Sequence, residues 1–336
     1  MLLLLAGFFY VAIYTSWLST GLVRHVLQQR LPEWQIQSCL ISRQQLVSPS
    51  QMDFQDIQLI LRKSSDAITL NIEKIFCKDF IHFFKEGDPM SFEIQGLDFG
   101  MGNNHVHHSN ATVSLAFQQR KLKELMGRLN VPELDVAAYS LKNIGSDFYG
   151  RDGQIQFDNV AADFYGGQVR GHILLAYQEN FPYSIDLEFT RVDLKRLQEE
   201  TQADSAQVEG KAKGFLRAAG DRRQLRSLET DINIIEGATI RAALLDFIAQ
   251  YIPPSRQRNE FASLVKKDGK LPLETATVHF QNVNPRKLSG LMRIYSRKLN
   301  VNLNPTIDIN TDGELSELFS LKAKDLILLI FQNLKN

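Results

Sequence analysis

Apolar and polar residues alternate along most of this chain once the first 23 positions have passed. In the stretch 52–62, for example, Phe54, Leu59 and Leu61 lie among Asp and Gln residues. Alternation with a period of two is typical of β-strands that have one apolar and one polar face. About thirteen such stretches occur, separated by Gly, Asn, Asp and Pro, and they predict a mainly β, antiparallel fold. They lie at 34–41, 52–62, 66–76, 90–100, 111–117, 131–144, 153–165, 167–178, 183–194, 206–220, 228–237, 273–283 and 304–315.

Apolar residues with a helical spacing occur at fewer places and predict amphipathic helices between the strands. Asp193 is a suitable N-cap for one helix, and Pro253 ends another. A short turn or helix is predicted at 80–87. The predicted helices lie at 117–130, 192–202, 238–252, 285–299 and 314–335.

The first 23 residues carry no charged side chain and predict a transmembrane anchor. A helix of that length spans about 35 Å, which is enough to cross a bilayer. A cleavable signal peptide is the competing interpretation, although its basic start and small-residue cleavage site are not evident. Arg24, Arg30 and Arg43 follow the segment and favour a cytoplasmic C-terminal flank, whereas a long following domain can translocate regardless of such a bias. The orientation therefore stays open on charge alone.

The overall charge argues against a dedicated nucleic-acid-binding protein. Lys plus Arg and Asp plus Glu both number 38, so the formal net charge is zero, and no excess of cations is available to neutralise phosphates. The chain has two cysteines, Cys39 and Cys77, and no C-x-x-C motif. The sequence leaves open whether these two thiols are free or form a disulfide.

The glycines in residues 162–178, ADFYGGQVRGHILLAYQ, raise the question of a phosphate-binding loop. Their spacing is not G-x-G-x-x-G, and the residues that follow are strand-like and not the start of a helix. Adjacent glycines suit a tight turn, so Gly166 and Gly167 are predicted to form the bend between two antiparallel strands. Gly171 is predicted to occupy a crowded or bulged strand position.

No motif for enzymatic chemistry is present. His105, His107 and His108 make a two-histidine metal site conceivable, but no acidic or Cys ligand is close in sequence, and a solvated loop is the favoured interpretation. The chain has no G-x-S-x-G and no H-E-x-x-H. We therefore predict a protein that is not an enzyme, with no catalytic residue, no metal and no cofactor.

One region resembles a known family. Residues 161–245 contain an aromatic–Gly–Gly turn at 165–167, a helix start at Val192-Asp193-Leu194, a turn at Gly220-Asp221, and Leu228 and Gly237 at matching positions. This order is similar to the C-terminal region of AsmA-like envelope proteins. The remainder of the chain resembles the family more loosely, through its single anchor and its strand pairs.

The resemblance implies a bacterial inner-membrane protein with a single anchor, its body in the periplasm, and a role in phospholipid transfer or outer-membrane biogenesis. It also implies an elongated, folded-over (taco-like) antiparallel sheet with an apolar groove for acyl chains. The predicted divisions are an anchor at 1–23, the N-terminal part of the groove body at 24–150 and an AsmA-like C-terminal region at 151–336. The alternation supports such a groove independently, because many strands carry one apolar face and few helices are available to cover it.

The predicted ligand is a phospholipid or another acyl-chain lipid, and a protein partner of the envelope or a second copy of the chain is also expected. The alternative hypothesis is a structural component of a cell-envelope assembly or secretion complex, in which the apolar faces bury against protein. The lipid species, the direction of transfer and the oligomeric state do not follow from the sequence. The residues predicted to line the groove are Phe54, Leu59, Ile68, Leu70, Phe92, Ile94, Phe157, Ile173, Leu175, Ile185, Leu187 and Phe189.

Overall fold

The protein is described by a computed structural model that contains two helices and eighteen strands in its described residues. The described residues are 16–30, 34–48, 50–63, 66–79, 89–118, 121–176, 181–201, 208–221, 224–241, 269–284, 287–297, 301–304, 306–310 and 334–335. The helices are α1 (Ser16–Arg30) and α2 (Leu194–Glu200). The longer strands are β1 (Gln35–Ser48), β2 (Gln51–Lys63), β3 (Asp66–Lys78), β4 (Met90–Met101), β5 (Asn104–Gln118), β6 (Lys121–Val136), β7 (Tyr139–Arg151), β8 (Gln154–Phe164), β9 (Gly167–Ala176), β10 (Tyr183–Asp193), β11 (Val208–Gly220), β12 (Leu225–Arg241), β14 (Thr275–Asn284) and β15 (Lys287–Ser296). The short strands are β13 (Lys270–Pro272), β16 (Val301–Leu303), β17 (Thr306–Asn310) and β18 (Leu334–Lys335).

The chain divides into two compact units. The first unit comprises the described residues of 1–136 and 140–158, and the second comprises those of 137–139 and 159–336. In the first unit, β1 to β6 pair in chain order. In the second unit, β9 to β12 pair in chain order, β12 also pairs with β13 and β14, and β14 pairs with β15. Every one of these pairings is antiparallel, so the prediction of a mainly β, antiparallel chain is confirmed.

The sequence predicted one helix correctly and two incorrectly. Helix α2 lies inside the predicted range 192–202, and Asp193 caps it by accepting a hydrogen bond at Oδ1 from the Arg196 backbone N at 3.0 Å. Residues 121–130 of the predicted helix 117–130 belong to β6, and β15 occupies the predicted helix 285–299. Cross-strand pairing provides the physical reason, because β6 pairs along its length with β5 and β15 with β14.

The other predicted helices lie mostly outside the described residues. Residues 238–241 of the range 238–252 form the end of β12, and residues 334–335 of the range 314–335 form β18. The predicted turn or helix at 80–87 is not among the described residues. Among the residues that are described, no helix has both the length and the apolar character needed to cross a membrane. Residues 1–15 of the predicted anchor are outside this set.

The predicted glycine turn is shifted by one residue. Tyr165 and Gly166 form the two-residue turn between β8 and β9, and both have positive φ angles, 44° and 78°. Such angles are typical of a type I′ hairpin turn, in which glycine is favoured. Gly167 is the first residue of β9 and is buried. Gly171 is crowded as predicted, since an added Cβ would lie 2.9 Å from the Leu187 Cα, but the register of β9 with β10 shows no bulge there.

Candidate functional site

The twelve predicted groove residues all lie on strands, and none of them is buried. Eleven are half-buried, and Leu175 is 41% exposed. Apolar side chains on a sheet usually face a sealed core, and other residues of this chain do so, among them Leu61 at 3% and Phe280 at 3% exposure. In each of the two units, the predicted residues are therefore apolar side chains that the protein covers incompletely.

In the first unit the predicted residues lie in apolar rows that cross six strands. Cross-strand partners in an antiparallel pair project from the same face of the sheet. Leu59 pairs with Leu70, and Leu70 pairs with Phe99. Ile68 lies beside them, opposite Leu61 and Met101. One row from β1 to β6 consists of Cys39, Leu59, Leu70, Phe99, Val106 and Leu134.

Two further rows in the first unit contain the remaining predicted residues of these strands. Ile94 pairs with Ile75, which pairs with Phe54. Phe92 pairs with Cys77 on one side and with Val113 on the other. The two rows consist of Gln44, Phe54, Ile75, Ile94, Ala111 and Leu129, and of Leu46, Met52, Cys77, Phe92, Val113 and Gly127. Phe157, on β8, packs its ring at 5.9 Å from that of Phe148.

The second unit has equivalent rows on β9 to β15. Ile185 pairs with Ile173, and Leu175 pairs with Tyr183. Leu187 pairs with Leu216, and Phe189 pairs with Val169 and Gly214. Two of these rows consist of Val169, Phe189, Gly214, Ile232, Val278 and Met292, and of Val192, Ala212, Ile234, Ala276 and Ile294.

A cavity of about 130 Å³ lies on these rows in the second unit, and no polar atom contributes to its surface. The strands β12, β14 and β15 supply most of its wall, and Leu194 of α2 supplies another part. None of the twelve predicted residues lines this cavity. Its wall includes Ile232, Ile234, Val278, Phe280, Met292 and Ile294.

The sequence contained a signal for part of this cavity. The alternation at 228–237 and 273–283 predicted both β12 and β14, and Ile232, Ile234, Val278 and Phe280 are its apolar positions. Met292 was missed because the spacing of 285–299 was interpreted as helical. In β15, Met292 is buried opposite Val278.

Helix α2 is fixed against the start of β11 by a buried glutamine. Gln198 has no exposed surface. Its Nε2 donates to the Leu194 carbonyl oxygen at 2.6 Å and to the Val208 carbonyl oxygen at 2.5 Å, and its Oε1 accepts from the Val208 backbone N at 3.3 Å. Because Leu194 and Val208 both line the cavity, these hydrogen bonds position two parts of its wall.

An aromatic ring lies across a glycine beside the cavity. A Cβ added to Gly214 would be 2.8 Å from Phe189 Cζ, so the ring occupies the space above this glycine. Gly214 pairs with Ile232 of the cavity wall. The ring therefore lies along the sheet and covers the backbone, an arrangement known to stabilise glycine in a strand.

The opposite face of these strands in the second unit is polar and charged. Glu209 is the centre of one cluster, in which it accepts hydrogen bonds from Lys270 Nζ at 2.7 Å, from Arg241 Nη2 at 3.2 Å and from Thr239 Oγ1 at 3.2 Å. The hydrogen bond from Lys270, together with that from Arg241, lowers the pKa of the Glu209 carboxyl group. These contacts connect β11, β12 and β13 on the side facing away from the cavity.

The three histidines lie on a strand, so the prediction of a loop is wrong. His105 and His107 stack with ring centroids 5.9 Å apart on β5. His107 Nε2 is 3.1 Å from Asp135 Oδ2, and His108 Nδ1 is 3.7 Å from Glu73 Oε1. Within the described part of the chain, no group of three or more His, Cys, Asp or Glu residues is arranged to hold a metal ion.

The two cysteines are free thiols. Cys39 pairs with Leu59, and Cys77 pairs with Met52, so the two positions are separated by seven residues along β2. That separation is about 23 Å at about 3.3 Å per residue, whereas a disulfide needs Cα atoms within about 7 Å. Burial raises the pKa of the Cys77 thiol to about 11.

Comparisons with protein-family models, with curated proteins and with solved structures find no match to this chain.

Proposed function

We propose that this protein is an inner-membrane-anchored, periplasmic lipid-binding protein that takes part in phospholipid transfer or outer-membrane biogenesis. Acyl chains bind along the apolar rows of the sheet, and no chemistry is carried out on them. The observation that carries this proposal is the incomplete burial of the predicted residues: none of the twelve apolar side chains is buried, and eleven of them, all except Phe157, pair with residues of neighbouring strands.

Hydrophobic burial offsets the cost of binding an acyl chain only when most of the chain is covered. Each methylene removed from water contributes about 0.8 kcal/mol. A chain of about sixteen carbons gains up to about 13 kcal/mol, which is comparable to the association cost of about 4–15 kcal/mol. Contact along several rows is therefore needed, and a single isolated apolar residue would not bind a lipid.

The cellular location in this proposal rests on the sequence. The uncharged first 23 residues and the resemblance of 161–245 to AsmA-like envelope proteins support an anchored periplasmic protein. The folded-over sheet with a continuous groove belongs to the same proposal, as do the envelope partner and the phospholipid as cargo.

Photo-crosslinking with matched positions on the two faces tests lipid binding. A photoreactive amino acid is placed at Phe92 or Leu187, on the apolar rows, and in control variants at Glu93 or Glu188, the next residues on the opposite face. The proposal predicts lipid adducts from Phe92 and Leu187 and none from Glu93 and Glu188 in phosphatidylethanolamine vesicles.

Two results would count against lipid binding. Equal lipid adducts from both faces would mean non-specific contact with the vesicle. Adducts to another protein from Phe92 and Leu187, without lipid, would favour the structural component of an envelope assembly.

A further inference from the structure

We infer that the cavity beside α2 binds the methyl end of one acyl chain and excludes the headgroup. This inference rests on the proposed lipid binding and adds the orientation of the lipid on the second unit. The cavity is lined by β12, β14 and β15, with Leu194 of α2 and Val208 of β11.

The volume of the cavity fits the end of a hydrocarbon chain. It measures about 130 Å³. An engineered apolar cavity of about 150 Å³ in another protein stays dry and binds benzene, a six-carbon hydrocarbon. The cavity beside α2 therefore has room for about five or six carbons, which is a chain end and not a whole lipid.

The chemistry of the wall excludes a polar headgroup. No polar atom contributes to the cavity surface, so a phosphate or an ammonium group would lose its hydration without gaining a partner. The charged groups nearby, Glu209, Arg241 and Lys270, contact one another on the opposite face of the strands. An apolar group such as the end of a hydrocarbon chain is therefore complementary to this wall.

The rest of the chain has an apolar path away from the cavity. Ile232, in the wall, pairs with Gly214, which pairs with Phe189, which pairs with Val169. This row crosses from β12 to β9, a distance of about 14 Å at about 4.8 Å per strand. The Phe189 ring occupies the space above Gly214, so the apolar surface of the path at this point is the ring itself.

Helix α2 and the start of β11 form part of the cavity wall. Leu194 is the first residue of α2 and lines the cavity, and Gln198 holds the helix to the Val208 backbone. In this proposal, a chain that enters along the row from β9 ends in the cavity, where Leu194 of this helix is one of the residues that it contacts. Leu194 is thus a residue that sets how far the chain can advance.

Two photoreactive phospholipids test this orientation. The full-length protein is mixed with phosphatidylcholine vesicles that contain a probe lipid with a diazirine either at the methyl-end carbon or at the second carbon of one chain. Labelled peptides are identified by mass spectrometry. The methyl-end probe is expected to label β12, β14 and β15, and the second-carbon probe is expected to label β9 and β10.

A cavity-filling variant provides the second measurement. Ala276→Leu adds three carbons to the wall of the cavity. The matched control is Ala218→Leu, because Ala218 is also a buried alanine, pairs with Ile185 and does not line the cavity. Labelling of β12 and β15 by the methyl-end probe is expected to fall about tenfold in Ala276→Leu, equivalent to about 1.4 kcal/mol. A free-energy change of this size corresponds to about two methylenes of the acyl chain that the added leucine side chain keeps out of the cavity. The labelling is expected to stay within about twofold in Ala218→Leu, because Ala218 does not line the cavity and the change leaves its volume intact.

The outcomes separate this inference from the proposed function. Equal labelling of β12, β14 and β15 by both probes overturns the orientation while lipid binding stands. Absence of labelling by either probe on any strand overturns lipid binding itself. The two-probe comparison uses the unaltered protein, so it decides the question even if Ala276→Leu does not fold.

Discussion

Replacing Gln198 with leucine is expected to destabilise the second unit and to loosen α2. Gln198 is fully buried, and its side-chain amide makes hydrogen bonds to both the N–H and the C=O of Val208. Leucine has a similar size but cannot form these bonds. The two Val208 backbone groups would then remain buried without their partner, at a cost of about 1–3 kcal/mol each. We expect the free energy of unfolding to fall by about 2–4 kcal/mol, because part of that cost is relieved by relaxation of the helix.

Urea unfolding followed by circular dichroism measures this loss, and hydrogen exchange of peptides that contain Val208 away from their N-terminus locates it. The control is Gln168→Leu, since Gln168 is an exposed residue of β9 whose side-chain Oε1 accepts a hydrogen bond from the Arg170 side chain on the same strand. We expect that control to change stability by less than about 0.5 kcal/mol. If Gln198→Leu is as stable as Gln168→Leu and exchange at Val208 is unchanged, the buried amide does not fix α2.

Three further predictions concern packing, pH and thiol reactivity. Gly167→Val should destabilise the protein by at least about 3 kcal/mol in urea unfolding, because a Cβ there would be 2.5 Å from the Val192 backbone N. The Glu209 contacts should contribute fully to the free energy of unfolding above the usual carboxyl pKa of 4.5, and this contribution should be lost as the pH falls through the lowered pKa of Glu209. Glu209→Gln should remove this part of the pH dependence of unfolding. Iodoacetamide should modify the half-buried Cys39 before the buried Cys77, whose pKa of about 11 leaves fewer than about one thiol in a thousand ionised at neutral pH.

Each of these predictions has a contrary result. If Gly167→Val unfolds at the same urea concentration as the unaltered protein, β9 can move away from β10 to make room for the side chain. A pH profile unchanged in Glu209→Gln would mean that other carboxyl groups determine acid stability. Alkylation of Cys77 at the rate of Cys39 would indicate that β3 opens readily.

Alternation predicted the strands well because it reports directly which face of a strand is apolar. Alternation failed to identify a strand where the same residues also fit the spacing of a helix. In β15, the apolar residues Leu288, Leu291, Met292 and Tyr295 have a helical spacing, but Leu288, Met292 and Ile294 are the buried ones. Pairing with β14 determines the strand, and such pairing depends on residues distant in sequence. Local spacing alone could not have distinguished the two.

The candidate site was predicted in part. The rows containing Leu59, Leu70 and Phe92 followed from alternation. Strict alternation would place Phe54 and Leu59, which are five residues apart, on opposite faces of β2, and Asp56, with its positive φ of 51°, lies between them. The cavity depends on the position of α2 against β11, which is determined by the buried Gln198. A glutamine in an amphipathic helix gives no sequence signal that it will be buried.

The most direct test of lipid binding is native mass spectrometry of the full-length protein extracted from its host membrane in a mild detergent. We predict that the protein retains one or more phospholipids, seen as discrete added masses that are lost on denaturation. A spectrum of lipid-free protein, or of the protein bound only to a stoichiometric protein partner, would contradict the account.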